Sequence, residues 1–414
     1  MTNLEVLRTT HTRRVYARVG LVGNPSDNFA GKTLAAAIEN FWAEVTLTPH
    51  HCVEIVPDAS DPPTYESLGD LHRHVNEHGY YGTRRLFLAT CHTLCQYCEE
   101  RGIATPSGGF QLSYRTTIPR QCGLSGSSAL VGAALSCLLA FFEIERQISA
   151  LERPGLMLQA ERSLGVVGGL QDRVVQCFGG AVFMDFGKGV PRPYRHVDAR
   201  CLPPLWLLYL AGPSGKDSGA VHSGVKERWL AGDLAVAQGV QDLVRCAEEA
   251  LALLDVDGGA CCSADKEDCC FVDDGDCCSI RDHRAAQALP SGRFPAPTTS
   301  TPAQVKLGQL MGESLRIRHR LYGDRVLGRA SLAMVAVARS VGAAVNFAGS
   351  GGAVVVHCPR GAEQEEALQR AAEEASETLP LRCERVRVAA RVCEFDWPAT
   401  PSGLGAESLR PGDG

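Results

Sequence analysis

The hydrophobic positions of the 414-residue chain alternate between short apolar runs and longer segments with helical spacing. Short β-branched runs between Gly, Pro or Asn clusters are typical of strands, and apolar residues three and four apart are typical of helices. The first half predicts strands at 15–22, 43–47, 111–114 and 181–185 and helices at 82–100, 127–142 and 156–165. The second half predicts strands at 205–210, 353–358 and 381–389 and helices at 219–231, 234–253, 305–321, 330–341 and 362–377.

This mixture of strands and helices predicts the α+β class, with a layered sheet-and-helix unit in each of two domains. The length is sufficient for two domains of ordinary size. We place the first at residues 17–200 and the second at 201–395, with a ligand cleft between them.

One loop, residues 119–129, directly precedes the apolar run 130–142. It consists of Pro119, Arg120, Gln121, Cys122, Gly123, Leu124, Ser125, Gly126, Ser127, Ser128 and Ala129. Its glycines allow the backbone to approach a ligand, and the N-terminus of the following helix favours bound phosphate. The hydroxyl of Ser128 is a candidate Mg²⁺ ligand. An ordinary glycine-rich turn capped by Ser127 is the alternative interpretation.

Two further segments contain small residues beside charged ones. Near the N-terminus, a predicted strand containing Arg18 leads into the turn Gly23–Asn24–Pro25–Ser26, which Asp27 follows. Near the C-terminus, Gly349, Ser350, Gly351 and Gly352 precede the apolar run AVVV, which indicates a tight loop entering a buried strand. Taken alone, the first segment also fits surface charges and the second an ordinary turn.

Two acidic residues lie between these segments. Glu161 is on the C-terminal side of a predicted helix, and Asp172 follows Gly168–Gly169 at the start of another. An acidic residue at a helix start also acts as an N-terminal cap, so Asp172 has a purely structural alternative. Glu161 has one as well.

In order and spacing, the three segments resemble the motifs of the GHMP sugar and isoprenoid kinases. Residues 119–129 match the loop P-x-x-x-G-L-x-[SG]-S-[SA], and Arg18, Gly23 and Asp27 match the galactokinase signature G-R-V-N-L-I-G-E-H-T-D. Asn24 and Pro25 replace the Glu and His of that signature. The resemblance implies the GHMP kinase fold, with ATP in the cleft between the domains.

The resemblance also implies roles for individual residues. Residues 119–129 together with Gly349, Ser350 and Gly351 are expected to bind ATP, and Ser128 and Glu161 to hold Mg²⁺. Asp172 is expected to orient or deprotonate the attacking hydroxyl, while Arg18 keeps Asp172 ionised and counters charge on the phosphoryl group. The expected sugar contacts are Asn24, Asp27, Arg173 and His222.

Several segments, among them IPRQCGLSGSSA and GLQDRVVQCFGG, are similar to those of the plant-type glucuronokinases within this group. The similarity implies transfer of the ATP γ-phosphoryl group to D-glucuronate, giving D-glucuronate 1-phosphate and ADP for UDP-glucuronate synthesis. An Asn24 amide donates hydrogen bonds to a carboxylate, whereas a Glu would repel it. Another sugar kinase of the galactokinase or arabinokinase type, or a non-catalytic sugar sensor, stays open.

An acidic sugar needs a cationic or amide-rich subsite. The candidates for binding its carboxylate are Arg120, Arg173, Lys216, His222 and Arg228. Arg173 is the best placed of them by sequence, because it adjoins Asp172. Each of the five also fits a solvated surface charge.

A net charge of −6 and the absence of an apolar run of about 18 residues argue against nucleic-acid or membrane binding. We therefore expect a cytoplasmic enzyme whose partners are ATP and the sugar, with no obligate protein partner. The sequence does not decide whether the N-terminus contains a short transit peptide. Six of the 18 cysteines form three pairs between 261 and 278, within a predicted disordered insertion at 255–302. Metal binding and redox sensing by this array are both open. Residues 399–414 are predicted to be a disordered tail.

Overall fold

Two β-sheets with helices packed against them make up the described part of a computed structural model, which covers residues 9–56, 82–104, 108–212, 218–255 and 300–393. The strands are β1 (His11–Val22), β2 (Lys32–His50), β3 (Val53–Ile55), β4 (Gly109–Thr116), β5 (Ala181–Asp185), β6 (Tyr194–Val197), β7 (Leu205–Leu210), β8 (Ala344–Phe347), β9 (Ala353–His357) and β10 (Leu381–Arg385). The helices are α1 (Thr83–Arg101), α2 (Gly126–Phe141), α3 (Arg153–Arg162), α4 (Gln171–Phe178), α5 (Ser218–Leu230), α6 (Leu234–Asp255), α7 (Pro302–Leu327), α8 (Arg329–Ser340) and α9 (Ala362–Ser376). The α+β prediction is confirmed.

The first sheet has the strand order β3-β4-β2-β5-β6, and β1 pairs antiparallel with β2. Strand β2 is much longer than the predicted strand 43–47, since it begins at Lys32. Its first half lacks alternation because Ala35 and Ala37 pack in one apolar cluster while Leu34, Ala36 and Ile38 pack in another. A strand covered on both faces shows no polar positions from which to recognise its period.

The second sheet is antiparallel throughout, with the order β10-β7-β9-β8. Every residue of β7 and β9 is buried, as their unbroken apolar runs predict. The predicted strand 381–389 was too long, because pairing within this sheet ends at Arg385. Beyond it the chain returns to the first sheet, where Val388 bridges to Ile38 and Arg391 to Gly179.

Apart from these bridges, the strands of each sheet come from one continuous part of the sequence, residues 11–197 for the first and 205–385 for the second. The boundary expected at 200/201 falls between them, and the division into two domains stays a prediction. The cysteine array at 261–278, most of the expected insertion and the tail lie outside the described residues. Among the described helices, none combines the length and apolarity needed to cross a membrane.

Candidate active site

Arg18 connects all three glycine-containing segments. It lies on β1 and is 5% exposed. Its Nε and Nη2 donate to the two carboxylate oxygens of Asp172 at 2.5 and 2.6 Å. Its Nη1 donates to the carbonyl oxygens of Gly123 at 2.7 Å and Ala348 at 3.0 Å. One guanidinium therefore fixes the position of Asp172 relative to the loops of both sheets.

Asp172 lies in the first turn of α4, with Leu170 as the N-cap residue. Besides Arg18, the Ser125 hydroxyl donates to its Oδ2. Burial raises the pKa of Asp172, but the charge and hydrogen bonds of Arg18, with the charge of Arg173 and the Ser125 hydroxyl, outweigh it and hold the pKa below its ordinary value. The carboxylate is thus ionised at neutral pH and accepts hydrogen bonds.

A second carboxylate, Glu161, is fully buried near the end of α3. Ser127 Oγ donates to its Oε1 at 2.7 Å, and Ser128 Oγ lies 3.1 and 2.9 Å from Oε1 and Oε2. Arg173 donates to Oε2 from Nε at 2.8 Å and from Nη2 at 2.5 Å. The start of α2 is therefore joined to α3 and α4 through one carboxylate.

The Ser128–Glu161 pair fits a hard divalent cation. Two adjacent ligands of an octahedral Mg²⁺, each about 2.0–2.1 Å from the ion, lie about 2.9 Å apart. Ser128 Oγ lies 3.1 Å from Glu161 Oε1, the carboxylate oxygen to which Arg173 does not donate. Oε1 receives hydrogen bonds only from hydroxyls among the described residues, which act equally well as metal ligands.

The loop 119–129 lies between β4 and α2. The start of α2 has no side-chain cap among the described residues. Ser125, with φ +61°, is the N-cap residue, rather than Ser127 as in the alternative interpretation. The hydroxyls of Ser125, Ser127 and Ser128 are directed towards Asp172 or Glu161. The backbone N–H groups of the first turn are thereby left to an anion.

The loops of the two sheets touch through their glycines. A Cβ on Gly349 would lie 2.0 Å from the Gly123 carbonyl oxygen, and a Cβ on Gly123 would lie 2.4 Å from that of Gly351. Cys122 Sγ donates to the carbonyl oxygen of Gly352 at 3.3 Å. The backbone of the loop 119–129 therefore contacts the backbone of the loop that contains Gly349, Ser350 and Gly351.

The loop after β1 approaches both sheets. Asn24 is buried; its Nδ2 donates to the Phe347 carbonyl oxygen at 3.1 Å, and its Oδ1 accepts from Asn346 at 3.2 Å. Among the described residues, the side-chain partners of Asn24 are thus protein groups of the second sheet. Its contact with the sugar stays a prediction.

Asp27 is half-buried against Gly169, where a Cβ would lie 2.0 Å from its Oδ2. Burial, and then the negative charge of Asp172, raise the pKa of Asp27 to about 6. The charges of Arg173 and Arg18 and the backbone N–H of Gln171 oppose this shift. The carboxyl group of Asp27 therefore interacts electrostatically with Arg18, Asp172 and Arg173.

Among the candidates for binding the sugar carboxylate, the structure shows most about Arg173. All three guanidinium nitrogens of Arg173 donate to protein acceptors, two to Glu161 and Nη1 to the Gly169 carbonyl oxygen at 2.6 Å. This geometry makes Arg173 a positioning residue for Glu161 and gives its predicted sugar contact no support. Arg228 pairs with Asp233 at the surface, and Arg120 is exposed. Lys216 and the side chain of His222 lie outside the described residues.

Sequence analysis did not single out Arg318, on α7, which is 1% exposed. Its position on the apolar face of the helix, at helical spacing from Leu307, Met311 and Leu315, was the available signal. A charged residue on a buried stripe is unusual enough to mark a site.

Comparisons with known proteins agree with this geometry. The family description "GHMP kinases N terminal domain" matches residues 86–180. "Glucuronokinase 1" of Arabidopsis thaliana is 40% identical over 376 residues, which are 88% of this chain and 90% of that protein. "Probable glucuronokinase 2" of the same plant is 40% identical over 367 residues, 86% of either chain.

The fold is that of solved GHMP kinases. The Lactococcus lactis galactokinase in complex with galactose superposes with a TM-score of 0.62 at 15% identity, over 92% of this chain and 94% of that one. GHMP kinases use ATP as co-substrate. With two relatives at 40% identity over most of its length, this chain belongs to the GHMP kinase family, is similar to the plant glucuronokinases within it, and is a kinase.

Proposed function

We propose that this enzyme transfers the γ-phosphoryl group of ATP to the anomeric hydroxyl of D-glucuronate, giving D-glucuronate 1-phosphate and ADP. The observation that carries the chemistry is the bidentate contact of Arg18 with Asp172, made where the glycine loops of both sheets meet. The observation that carries the sugar is the 40% identity to proteins named as glucuronokinases.

ATP is held between the loop 119–129 and the loop of Gly349, Ser350 and Gly351. The open N–H groups at the start of α2 face the phosphates, whose negative charge the helix dipole favours. Ser128 and Glu161 would hold Mg²⁺, which supplies neutralisation of phosphate charge. Arg173 keeps Glu161 in place through two hydrogen bonds to its Oε2.

Asp172 orients the anomeric hydroxyl by accepting its hydrogen bond. In the transfer, the bond between the γ-phosphorus and the bridging oxygen of ADP breaks while the sugar oxygen bonds to phosphorus, and the hydroxyl proton passes to Asp172 and then to solvent. A loose transition state needs little base strength early in the reaction, which suits a carboxylate with a lowered pKa. Arg18 lies beside the transferred group and compensates its charge.

The test is ADP release with D-glucuronate, D-galactose, L-arabinose and mevalonate under identical conditions, with the product identified by ³¹P NMR. We expect turnover with D-glucuronate and a signal from an anomeric phosphate. Preferred turnover of a neutral sugar would show a kinase of the galactokinase or arabinokinase type, and binding of sugar and ATP without ADP release would show a sensor.

A further inference from the structure

The guanidinium of Arg318 is buried without a hydrogen-bond partner among the described residues. The residue is 1% exposed, and its Nε, Nη1 and Nη2 have no hydrogen-bond partner in the described part of the chain. Buried charges are normally paired, because removing a charge from water without compensation is costly. The side chain therefore points to an anion that joins the protein from outside.

The position of Arg318 is defined from two directions. One turn earlier on α7, the Ser314 hydroxyl accepts from the backbone N–H of Gly23 at 3.3 Å, so this face of the helix faces the loop 23–27. The Arg318 Cζ lies 4.9 Å from the centre of the Phe347 ring, and the carbonyl oxygen of Phe347 accepts from Asn24. Arg318 thus lies between β8 and the loop proposed to contact the sugar.

The electrostatics connect Arg318 with the catalytic group. The pKa of Arg318 is lowered to about 10, mainly by burial and also by the positive charge of Arg18, while Tyr322 and Asp27 act in the opposite direction. It is cationic at neutral pH. The Phe347 and Tyr322 rings, 4.9 and 5.7 Å away, stabilise a cation without donating or accepting a conventional hydrogen bond.

The other charges of the site are already paired. Arg18 binds Asp172, and Arg173 binds Glu161. Asp27 lies against Gly169 and makes no hydrogen bond to Arg318. Of the three buried arginines around the site, Arg318 is therefore the one whose donors are free for a ligand, among the described residues.

We propose that Arg318 binds the carboxylate of the acidic sugar and selects it over neutral sugars. This inference rests on the proposed function and deepens it by naming the specificity-determining residue. The planar guanidinium offers parallel N–H donors that match the two oxygens of a carboxylate, which an ammonium does not. The buried, aromatic surroundings of Arg318 would strengthen such a pair, and a neutral substituent in its place would leave the guanidinium donors unsatisfied.

The experiment compares D-glucuronate with its neutral isostere D-glucuronamide, in the wild-type enzyme and in Arg318→Met. The wild type should prefer the acid by about 10²–10³-fold in kcat/KM, because truncating one side of a buried charge pair has effects of this size. In Arg318→Met the two substrates should become equal within about threefold, with the KM for ATP unchanged. Arg316→Met is the matched control, since Arg316 is an exposed arginine on the same helix.

Thermal unfolding separates a ligand role from a structural one. Without sugar, Arg318→Met should melt at the same temperature as the wild type or higher, because it removes an unpaired buried charge. Stabilisation by added D-glucuronate should disappear in this variant and persist in Arg316→Met. If Arg318→Met does not fold, Arg318→Lys keeps the charge, and its preference for the acid should fall about tenfold.

The outcomes distinguish this inference from the proposed function. A wild type that phosphorylates D-glucuronate and D-glucuronamide equally well, or an Arg318→Met variant that keeps the preference, overturns the role of Arg318 and leaves the proposed function standing. A wild type that phosphorylates neither sugar but accepts another substrate overturns the proposed function itself.

Discussion

Arg18 and Asp172 are 154 residues apart in the chain, yet their side chains form two parallel hydrogen bonds, Nε to Oδ1 at 2.5 Å and Nη2 to Oδ2 at 2.6 Å. The same guanidinium donates to the carbonyl oxygens of Gly123 and Ala348. The orientation of the carboxylate therefore depends on the loops of both sheets being in place.

Replacing Asp172 by Asn should lower kcat by about 10²–10⁴-fold, the usual range for a positioned acid–base group, and leave the KM for ATP close to that of the wild type. ADP release at saturating substrate measures this. Asp198→Asn is the control, because Asp198 pairs with Arg200 at the surface, and its kcat should be unchanged. Full turnover by Asp172→Asn would remove Asp172 from the reaction.

Replacing Glu161 by Gln should have two separable effects. The free energy of unfolding should fall by about 3–5 kcal/mol, because Arg173 keeps a buried charge without a counter-ion. The Mg²⁺ concentration for half-maximal activity should also rise by at least about ten- to a hundredfold, because loss of a ligand carboxylate should cost no less than loss of a group that supports a ligand. Chemical denaturation and Mg²⁺ titration measure the two.

The double variant Glu161→Gln/Arg173→Met should recover much of the stability without recovering the Mg²⁺ response. Glu44→Gln is the control, since Glu44 pairs with two partly exposed arginines at a distance from the site, and its loss should be about 1 kcal/mol or less. An unchanged Mg²⁺ requirement in Glu161→Gln would place the metal elsewhere.

Asp27 should make stability depend on pH. Its pKa in the folded protein, about 6, lies above the ordinary value of 3.8, so the folded state holds the proton more tightly. Stability then falls as pH rises from about 4 to about 6, and the ionised group costs about 3 kcal/mol at pH 7.5. Asp27→Asn should raise the unfolding free energy by about this amount at pH 7.5 and by about half of it at pH 5. A gain that does not vary with pH would contradict the raised pKa.

Gly349→Ala should separate the two glycine loops. Its Cβ would lie 2.0 Å from the Gly123 carbonyl oxygen and 2.8 Å from Arg18 Nη1, so the loops must move apart and Arg18 must shift. We expect a higher KM for ATP and a loss of about 3 kcal/mol or more in stability, as for other overpacked sites. Gly155→Ala, in α3 with no atom within 4 Å of the added methyl group, should be stabilising by about 0.5–1 kcal/mol.

The sequence predicts the glycine- and serine-containing loops better than it predicts the strands of the sheets. The glycine and serine positions carry steric and hydrogen-bonding requirements that few other residues meet, so Gly123, Ser128 and Gly349 could be identified as a loop system from their pattern. Strand β2 from Lys32 onwards and strands β3, β6 and β8 were missed, because short or doubly covered strands show no alternation.

Two aspects of the site needed tertiary structure. That Arg173 would bind Glu161 rather than face the cleft depends on how α3 and α4 pack, which local sequence does not report. Arg318 does not lie in any of the motifs that the sequence resembles. That its guanidinium lacks a hydrogen-bond partner among the described residues follows only from the packing of α7 beside the loop 23–27.

The return of residues 386–392 to the first sheet has a mechanical consequence. The Glu39 N–H donates to the Arg387 carbonyl oxygen at 2.9 Å, the Ala389 N–H to Ala37 at 2.9 Å and the Val392 N–H to Phe178 at 2.8 Å. The chain thus passes between the two sheets twice, once before β7 and once after β10. Because these hydrogen bonds hold residues 386–392 to β2 and α4, a displacement of the second sheet relative to the first must be taken up at the two crossings or break the bonds of this segment.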